Sequence, residues 1–373
     1  MSEASVLIIG PTPPPAHGVS VFTATLLGSS LKQTFRLLHL DISDRRTLFN
    51  VGRLDLRNVV LAFYYGLRFQ WILLSKRPQL IYLPISETNL GFMRDCLFLV
   101  PARLFGFRVV AQFHGGYFDT LYADANPVMR VLMRFCLAQV SRAIVLGDSF
   151  RSKLDGLVPA EKVRVVPVGI RQEIFEAAKG GPRIARNGKH TILYLGTLVE
   201  SKGFVDLLRA VPLVLQQRKD VRFVFVGDKS LPETRAAEEW TTRQALDAYV
   251  TFAGPKSGSE KVDALLEAET FAFPTWYPLE GQPIVLLEAM SAGLPILTTR
   301  HATIPDVLGE DGAVYVNKKD PEDIARKICI LLEDAELRAR MGQANQRKFL
   351  QSHTVEQFAR NLQRVFDEAL SSP

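Results

Sequence analysis

Two glutamates, Glu280 and Glu288, stand in the segment that runs from Pro274 through Trp276 and Tyr277 to Thr298. Pro283 fits the opening position of a helix, where a missing N–H costs nothing, and Gly281 keeps the preceding loop narrow enough for a ligand to reach backbone amides. A helix start of this kind attracts negative charge. At about 3.6 residues per turn, Glu288 lies about a turn and a half inside that helix and Glu280 just outside it, so the two cannot form a close acid pair. Separated carboxylates suit two different hydroxyl-rich partners, each accepting hydrogen bonds from vicinal sugar hydroxyls. Taken singly, Glu280 reads more often as a loop charge and Glu288 as a solvated helix charge. The apolar neighbours Val285, Leu286, Leu287, Ala289 and Met290 argue against an idle Glu288.

Other loops follow candidate strands. Gly196-Thr-Leu-Val-Glu-Ser-Lys-Gly203 leads into a helix for which Ser201 fits the N-cap, and Lys202 supplies a cation where a helix start already favours a diphosphate. Phe113-His114-Gly115-Gly116-Tyr117 is an open turn whose imidazole can hydrogen-bond a sugar hydroxyl or orient a leaving oxygen, although a histidine ending a buried strand is more often a satisfied core group. Gly10-Pro-Thr-Pro-Pro-Pro-Ala-His-Gly18 does not spell the GxGxxG dinucleotide fingerprint; a helix is expected from Val19, and His17 reads as a loop side chain. Val226-Gly227-Asp228 and Phe252-Ala-Gly254-Pro255 also end strands and offer backbone contacts.

These loops need a scaffold, and short β-branched runs alternating with helix-length amphipathic stretches predict βαβ units and parallel sheets. Strands are expected at Val6–Ile9, Leu80–Leu83, Val109–Phe113, Ala143–Leu146 and Val163–Val166, and again at Thr191–Leu195, Arg222–Val226, Val250–Ala253, Thr270–Pro274, Ile296–Thr299 and Ala313–Val316. Helices are expected at Phe204–Gln217, Glu233–Tyr249, Glu260–Ala268 and Pro283–Ser291. The fold class is therefore α/β, with two Rossmann-like doubly wound domains facing across a cleft and ligands at the carboxyl ends of their strands. Glycine, proline and asparagine between Ala177 and His190 suit a linker. The expected domains are residues 1–176 and 191–352, joined by a linker at 177–190, with a C-terminal helix over 353–373 returning to the first domain.

Composition narrows the function classes. The 373 residues suit two domains, and 47% hydrophobic against 23% charged residues describe a globular chain. Cys96, Cys136 and Cys329 are scattered and indicate neither a disulfide framework nor a zinc site, so no metal is expected. With no signal-peptide pattern, the expected location is cytoplasmic, on the membrane face if an acceptor demands it. Residues 1–175 hold 20 Lys plus Arg against 12 Asp plus Glu, while the whole chain has a net charge of +6. A basic first domain faces something anionic or merely carries solubilising charge. Between Leu56 and Arg77 aromatic and aliphatic residues mix with Arg57, Arg68, Lys76 and Arg77, which suits either a helix at a bilayer surface or a packed Rossmann helix; Arg103, Arg108, Arg130 and Arg134 add to a basic face. The aromatics do not interleave with basic residues as a nucleic-acid stacking platform requires.

The stretch Glu280-Gly-Gln-Pro, Leu287-Glu-Ala-Met and Gly293-Leu-Pro to Thr298 resembles the E-x7-E motif of family 4 retaining glycosyltransferases, which have the GT-B fold. The resemblance implies that Glu280 contacts hydroxyls of the transferred sugar and Glu288 the ribose. It puts Lys202 on the donor diphosphate, Gly18 near the phosphates, Gly227 and Gly254 around the nucleotide, and His114 near the reacting sugar. Thr197 stands where the family usually has arginine. The implied donor site is Gly18, Gly196, Thr197, Lys202, Gly227, Gly254, Glu280, Gly281, Gln282, Pro283, Ile284 and Glu288. Glu280, His114 and Lys202 are the catalytic candidates, and His17, His114, Gly115 and Gly116 lie on the acceptor side.

The expected activity is that of a metal-independent hexosyltransferase without cofactor. It takes a UDP- or GDP-sugar to a glycan or polyprenyl-diphosphate-linked sugar acceptor, with retention, in bacterial capsule, exopolysaccharide or O-antigen synthesis, with peripheral attachment to the inner membrane. A nucleotide-sugar epimerase of the same fold and a catalytically silent GT-B scaffold protein stay open as alternatives.

Overall fold

The computed structural model describes residues 4–14, 18–43, 45, 56–179 and 188–371. Strand β1 (Ser5–Gly10) is fully buried from Val6 onward, as a central strand covered on both faces must be. After it come α1 (Gly18–Gly28), β2 (Arg36–Asp41), α2 (Leu56–Lys76), β3 (Leu80–Ile85), α3 (Asn89–Leu104), β4 (Arg108–Phe113), α4 (Phe118–Asp124), α5 (Pro127–Leu137), β5 (Arg142–Val145) and β6 (Val163–Val165). The six strands form one parallel sheet in the order β2-β1-β3-β4-β5-β6. The direction of travel reverses between β1 and β3. Right-handed crossovers therefore put α2, α3 and α5 together on one face and α1 on the other; α3 packs against both α2 and α5.

The second unit begins at Ile170. It contains α6 (Glu173–Ala178), β7 (His190–Leu195), α7 (Phe204–Gln217), β8 (Val221–Val226), α8 (Pro232–Arg243), β9 (Val250–Gly254), α9 (Gly258–Leu266), β10 (Thr270–Phe273), α10 (Ile284–Ser291), β11 (Ile296–Thr299), α11 (Ile304–Leu308), β12 (Ala313–Val316), α12 (Pro321–Glu333) and α13 (Ala335–Ser352). Its parallel sheet runs β12-β11-β10-β7-β8-β9, with the switch between β10 and β7. A core of aromatic rings fills it: Tyr194 lies 5.7 Å from Phe273 and 5.8 Å from Phe225 between ring centroids.

The last helix, α14 (Val355–Ser371), belongs to the first unit, which comprises Met1–Gly169 and Val355–Pro373. It packs on the α1 face, where Phe358 meets Phe22 edge-on at 4.8 Å. Glu368 accepts from Arg142 at 3.0 Å and from Arg164 at 2.8 Å. Residues 170–176, placed in the first domain on sequence, fall in the second unit, and Ala177 and Ala178 close α6. Residues 180–187 of the expected linker lie outside the described residues.

Several element ends differ from the sequence expectation. The helix expected to reach Tyr249 stops at Arg243, because Ala245 adopts φ 53° and the chain turns back with Ala245 N donating to Thr242 O and Leu246 N to Thr241 O. That is a left-handed C-terminal cap without the usual glycine. Edge strand β2 was not expected at all, and its half-exposed Arg36–Asp41 carries too weak an apolar run to announce it. Cys96 and Cys136, scattered in sequence, meet with sulfurs 3.8 Å apart between α3 and α5.

Candidate functional site

The switch point of the second sheet is flanked by the loops that follow β7 and β10, and these carry Lys202 and Glu280. Such a switch opens a crevice beyond the strand ends, where ligands of open α/β sheets bind. The β7 loop is held from below by Tyr194, whose buried hydroxyl lies 3.2 Å from Thr197 O and 3.3 Å from Lys202 O. It closes on Gly203, at φ 82°, where a Cβ would come within 2.1 Å of Pro274 O. Glycine is therefore obligatory, and its close approach locks the two loops together. Trp276 N donates to Ser201 O at 2.9 Å across the same seam.

Ser201 is not the N-cap of α7. It lies in the short turn Glu200–Lys202, and Gly203 caps the helix without a side chain. The turn aims Lys202 sideways, so its Nζ donates to Glu280 Oε2 at 2.8 Å and lies 4.4 Å from the centroid of the Tyr277 ring. Thr275, fully buried, donates its hydroxyl to the same Glu280 oxygen at 3.1 Å. Glu280 is thus a buried carboxylate compensated by one cation and one hydroxyl, as a charge taken out of water requires.

Pro283 is the cap residue before α10 and not its first helical residue; its carbonyl accepts from Leu286 N at 3.1 Å. Gln282 and Pro283 are buried and Ile284 is half-buried, while Gly281 O accepts from Thr303 at 2.9 Å. Glu288 sits on α10 at 7% exposure and takes Lys261 Nζ on Oε1 at 2.5 Å. Burial raises its pKa above the ordinary glutamate value, and the Lys261 ammonium pulls the other way. The two glutamates are therefore separate, each with its own lysine.

Gly196, Gly227 and Gly254 come together at the ends of three adjacent strands. Gly196 N donates to Val226 O at 3.0 Å and Gly227 N to Gly254 O at 3.1 Å. A Cβ on Gly227 would stand 2.3 Å from Gly196 O. The result is a bare backbone shelf beside the Lys202 loop. Thr197 is exposed at its start.

In the first unit His114 follows β4, half-buried and edge-on to Phe22 at 4.7 Å. Its two glycines have steric reasons: a Cβ on Gly115 would meet Glu87 Oε2 at 2.6 Å, and one on Gly116 the Phe150 ring at 2.6 Å. Gly18 opens α1 with no atom within 4 Å of a built Cβ. His17 lies outside the described residues.

Sequence reading missed several partners. Glu87, just past β3 at the switch point of the first sheet, accepts Gly115 N and Tyr117 N at 2.8 Å each and so shapes the His114 turn. Burial raises its pKa, opposed by those two amides. In the second unit His301 lies 2.7 Å from Tyr277 O through Nε2 and 3.0 Å from Lys318 Nζ through Nδ1. An ammonium can only donate, so Nδ1 accepts and Nε2 carries the proton. Burial lowers its pKa and so favours the neutral ring. Trp276 Nε1 donates to the buried Asp206 at 3.0 Å. The loop position of Glu87 was a usable signal; Lys261 and His301 lie in other elements and gave none. Among the described residues, no group of three or more His, Cys, Asp or Glu is placed to hold a metal ion.

A charged, aromatic switch-point crevice with a bare glycine shelf has the donors and acceptors that a phosphorylated, hydroxyl-rich ligand needs. Residues 182–348 match the family described as Glycosyl transferases group 1. The match covers less than half of the chain and lies within the second unit. A component of the phosphatidylinositol N-acetylglucosaminyltransferase of Arabidopsis thaliana is 30% identical over 234 residues, 62% of this chain and 50% of that protein. The amylovoran biosynthesis glycosyltransferase AmsK of Erwinia amylovora is 28% identical over 194 residues, 50% of this chain and 44% of that one. The chain thus spans about half the length of these curated relatives. Among solved structures, Anabaena Alr3699/HepE in complex with UDP superimposes with TM-score 0.74 at 15% identity over 97% of this chain and 99% of that one, a likeness of fold alone. The two Rossmann-like units of this chain are those of the GT-B fold class.

Proposed function

We propose that the chain is a retaining glycosyltransferase that moves a hexose from a nucleotide diphosphate sugar, UDP- or GDP-linked, to a glycan or lipid-linked sugar acceptor. The observation that carries this reading is the Lys202–Glu280 pair at the switch point of the second sheet. In the proposed complex Lys202 turns from Glu280 to the departing diphosphate, and Glu280, so released, accepts hydroxyls of the transferred sugar. The start of α10 and the glycine shelf present amides to the phosphates and base, and Glu288 holds the ribose. Catalysis then rests on positioning and on stabilising the leaving group through Lys202 and amides, with no metal in that role. His114, on its Glu87-braced turn, takes the reacting sugar's hydroxyl or orients the leaving oxygen, and Gly115 and Gly116 lie on the acceptor side. The names of the relatives support a polysaccharide or lipid-linked acceptor, and the UDP complex of the Anabaena protein supports a uridine donor.

The test is thermal-shift or calorimetric binding of uridine, guanosine and adenosine diphosphates and their sugars to wild type and Glu288→Ala. A specific ligand at about 100 times its Kd stabilises by about 2.7 kcal/mol. Selective stabilisation by one nucleotide, weakened in the variant, supports the reading. A silent scaffold is the second reading, favoured by the exposed Thr197 in place of a diphosphate-binding arginine. It takes first place if no nucleotide moves the transition.

A further inference from the structure

The face of the first unit built by α2, α3 and α5 is the outer layer of a Rossmann-like domain, which in water should present charge. It does the opposite. Of the nineteen large hydrophobic side chains exposed among the described residues, fifteen lie on α2, on α3 with its cap residue Phe105, or on α5. On α2 they span positions 59 to 74 and fall within an arc of about 140° at 100° per residue. Phe63, Leu67, Trp71 and Leu74 are 65%, 55%, 60% and 73% exposed. Helix α3 continues the surface with Met93 and Leu97, the latter within 3.8 Å of the Cβ position of Gly66, so the two helices meet closely there. Helix α5 adds Val128 and Val131, at 78% and 68% exposure. An apolar surface of this extent marks an interaction site.

Charge says what covers it. Neither α2 nor α5 contains an acidic residue, and the one carboxylate of α3, Asp95, is fully buried, accepting from Ser86 N and Arg94. The exposed charges are all positive: Arg57, Arg68 and Lys76 on α2, Arg130 and Arg134 on α5. Arg103 bridges the helices with its guanidinium 3.7 Å from the Phe135 ring. Apolar side chains on helices whose exposed charges are all cations match the acyl boundary and anionic headgroups of a bilayer. A second copy of the chain would bring the same cations against these. No helix among the described residues is long and apolar enough to cross a membrane.

We propose that the α2–α3–α5 face seats the first unit on an anionic lipid bilayer, with the α2 stripe in the acyl boundary and the arginines among the headgroups. This goes beyond the donor-site reading and does not depend on it. The full chain is mixed with vesicles of phosphatidylcholine alone or with about 30% phosphatidylglycerol, and sedimented. Binding is expected to the anionic vesicles, with Trp71 emission shifting to the blue and Trp71→Phe losing that shift. Leu67→Glu with Leu74→Glu abolishes binding. Arg57→Gln with Arg68→Gln weakens it about tenfold or more at low salt. Unchanged melting temperature and nucleotide binding in these variants separate the surface from the donor site. Failure of wild type to sediment with anionic vesicles overturns the proposal. So does unchanged binding of Leu67→Glu with Leu74→Glu, or a wild-type dimer that this variant converts to monomer while vesicle binding is nil.

Discussion

Lys202 Nζ and Glu280 Oε2 lie 2.8 Å apart although 78 residues separate them, because the switch point places the loops after β7 and β10 side by side. The side chains are 18% and 7% exposed, so Lys202→Met leaves a nearly buried carboxylate held by the Thr275 hydroxyl and stripped of its cation. Lys202→Met is expected to cost about 1–3 kcal/mol, while adding Glu280→Gln recovers part of it, since the uncompensated charge is then gone. Denaturant unfolding of the two singles and the double measures the coupling. Additive effects would show that the pair is not a thermodynamic unit.

Glu288 makes the opposite trade. Burial raises its pKa in the folded chain above the ordinary 4.5. Between that value and the raised one the folded state binds more protons than the unfolded, so stability falls as pH rises through this window and stays lower beyond it. Glu288→Gln is therefore expected to stabilise at about pH 7.5, with the gain shrinking as pH falls toward about 4.5, while nucleotide binding drops. Melts of both proteins at the two pH values check this. A gain independent of pH would assign the effect to packing.

The fold and the loops that flank the second switch point were legible because their signals are local. Buried parallel strands read as apolar runs, and Glu280, Gly281 and Glu288 fall in one continuous segment. What failed had no local signal. Ala245 ends α8 in a left-handed conformation that sequence assigns to glycine, and β2 is a half-exposed edge strand with only a weak apolar run. The partners Lys261 and His301 are brought to their sites by sheet order and crossovers, which no spacing rule encodes, whereas Glu87 stood in a loop after a strand where it could have been read. The membrane-like composition of α2 was readable; that α3 and α5 extend the same surface required the crossovers to put all three on one face.

Gly203 and Gly18 respond differently to a methyl group. Gly203→Ala forces φ 82° on an alanine and drives its Cβ to 2.1 Å from Pro274 O. A loss of about 3 kcal/mol or more is expected. Gly18→Ala meets nothing within 4 Å at the first residue of α1 and should leave stability within about 0.5 kcal/mol. Turnover then decides its role: a Gly18→Ala protein that melts normally but transfers sugar poorly places ligand against that backbone, and unchanged transfer removes Gly18 from the site.

Glu87 tests the other unit. It receives Gly115 N and Tyr117 N on its two oxygens, so the carboxylate fixes the turn that carries His114. Glu87→Gln replaces one acceptor oxygen with an amide that donates, and one of the two backbone N–H groups loses its partner. The His114 ring then shifts by a fraction of an ångström or more, which is enough to cost about 100-fold in a reaction governed by positioning. The expected pattern is a fall in kcat with nucleotide binding unchanged, because the proposed donor-binding residues lie in the second unit and are untouched. Glu87→Asp, which keeps both acceptor oxygens but shortens the reach, should fall between the two. Wild-type kcat in Glu87→Gln would mean that the turn needs no such brace and that His114 has no geometric part in transfer.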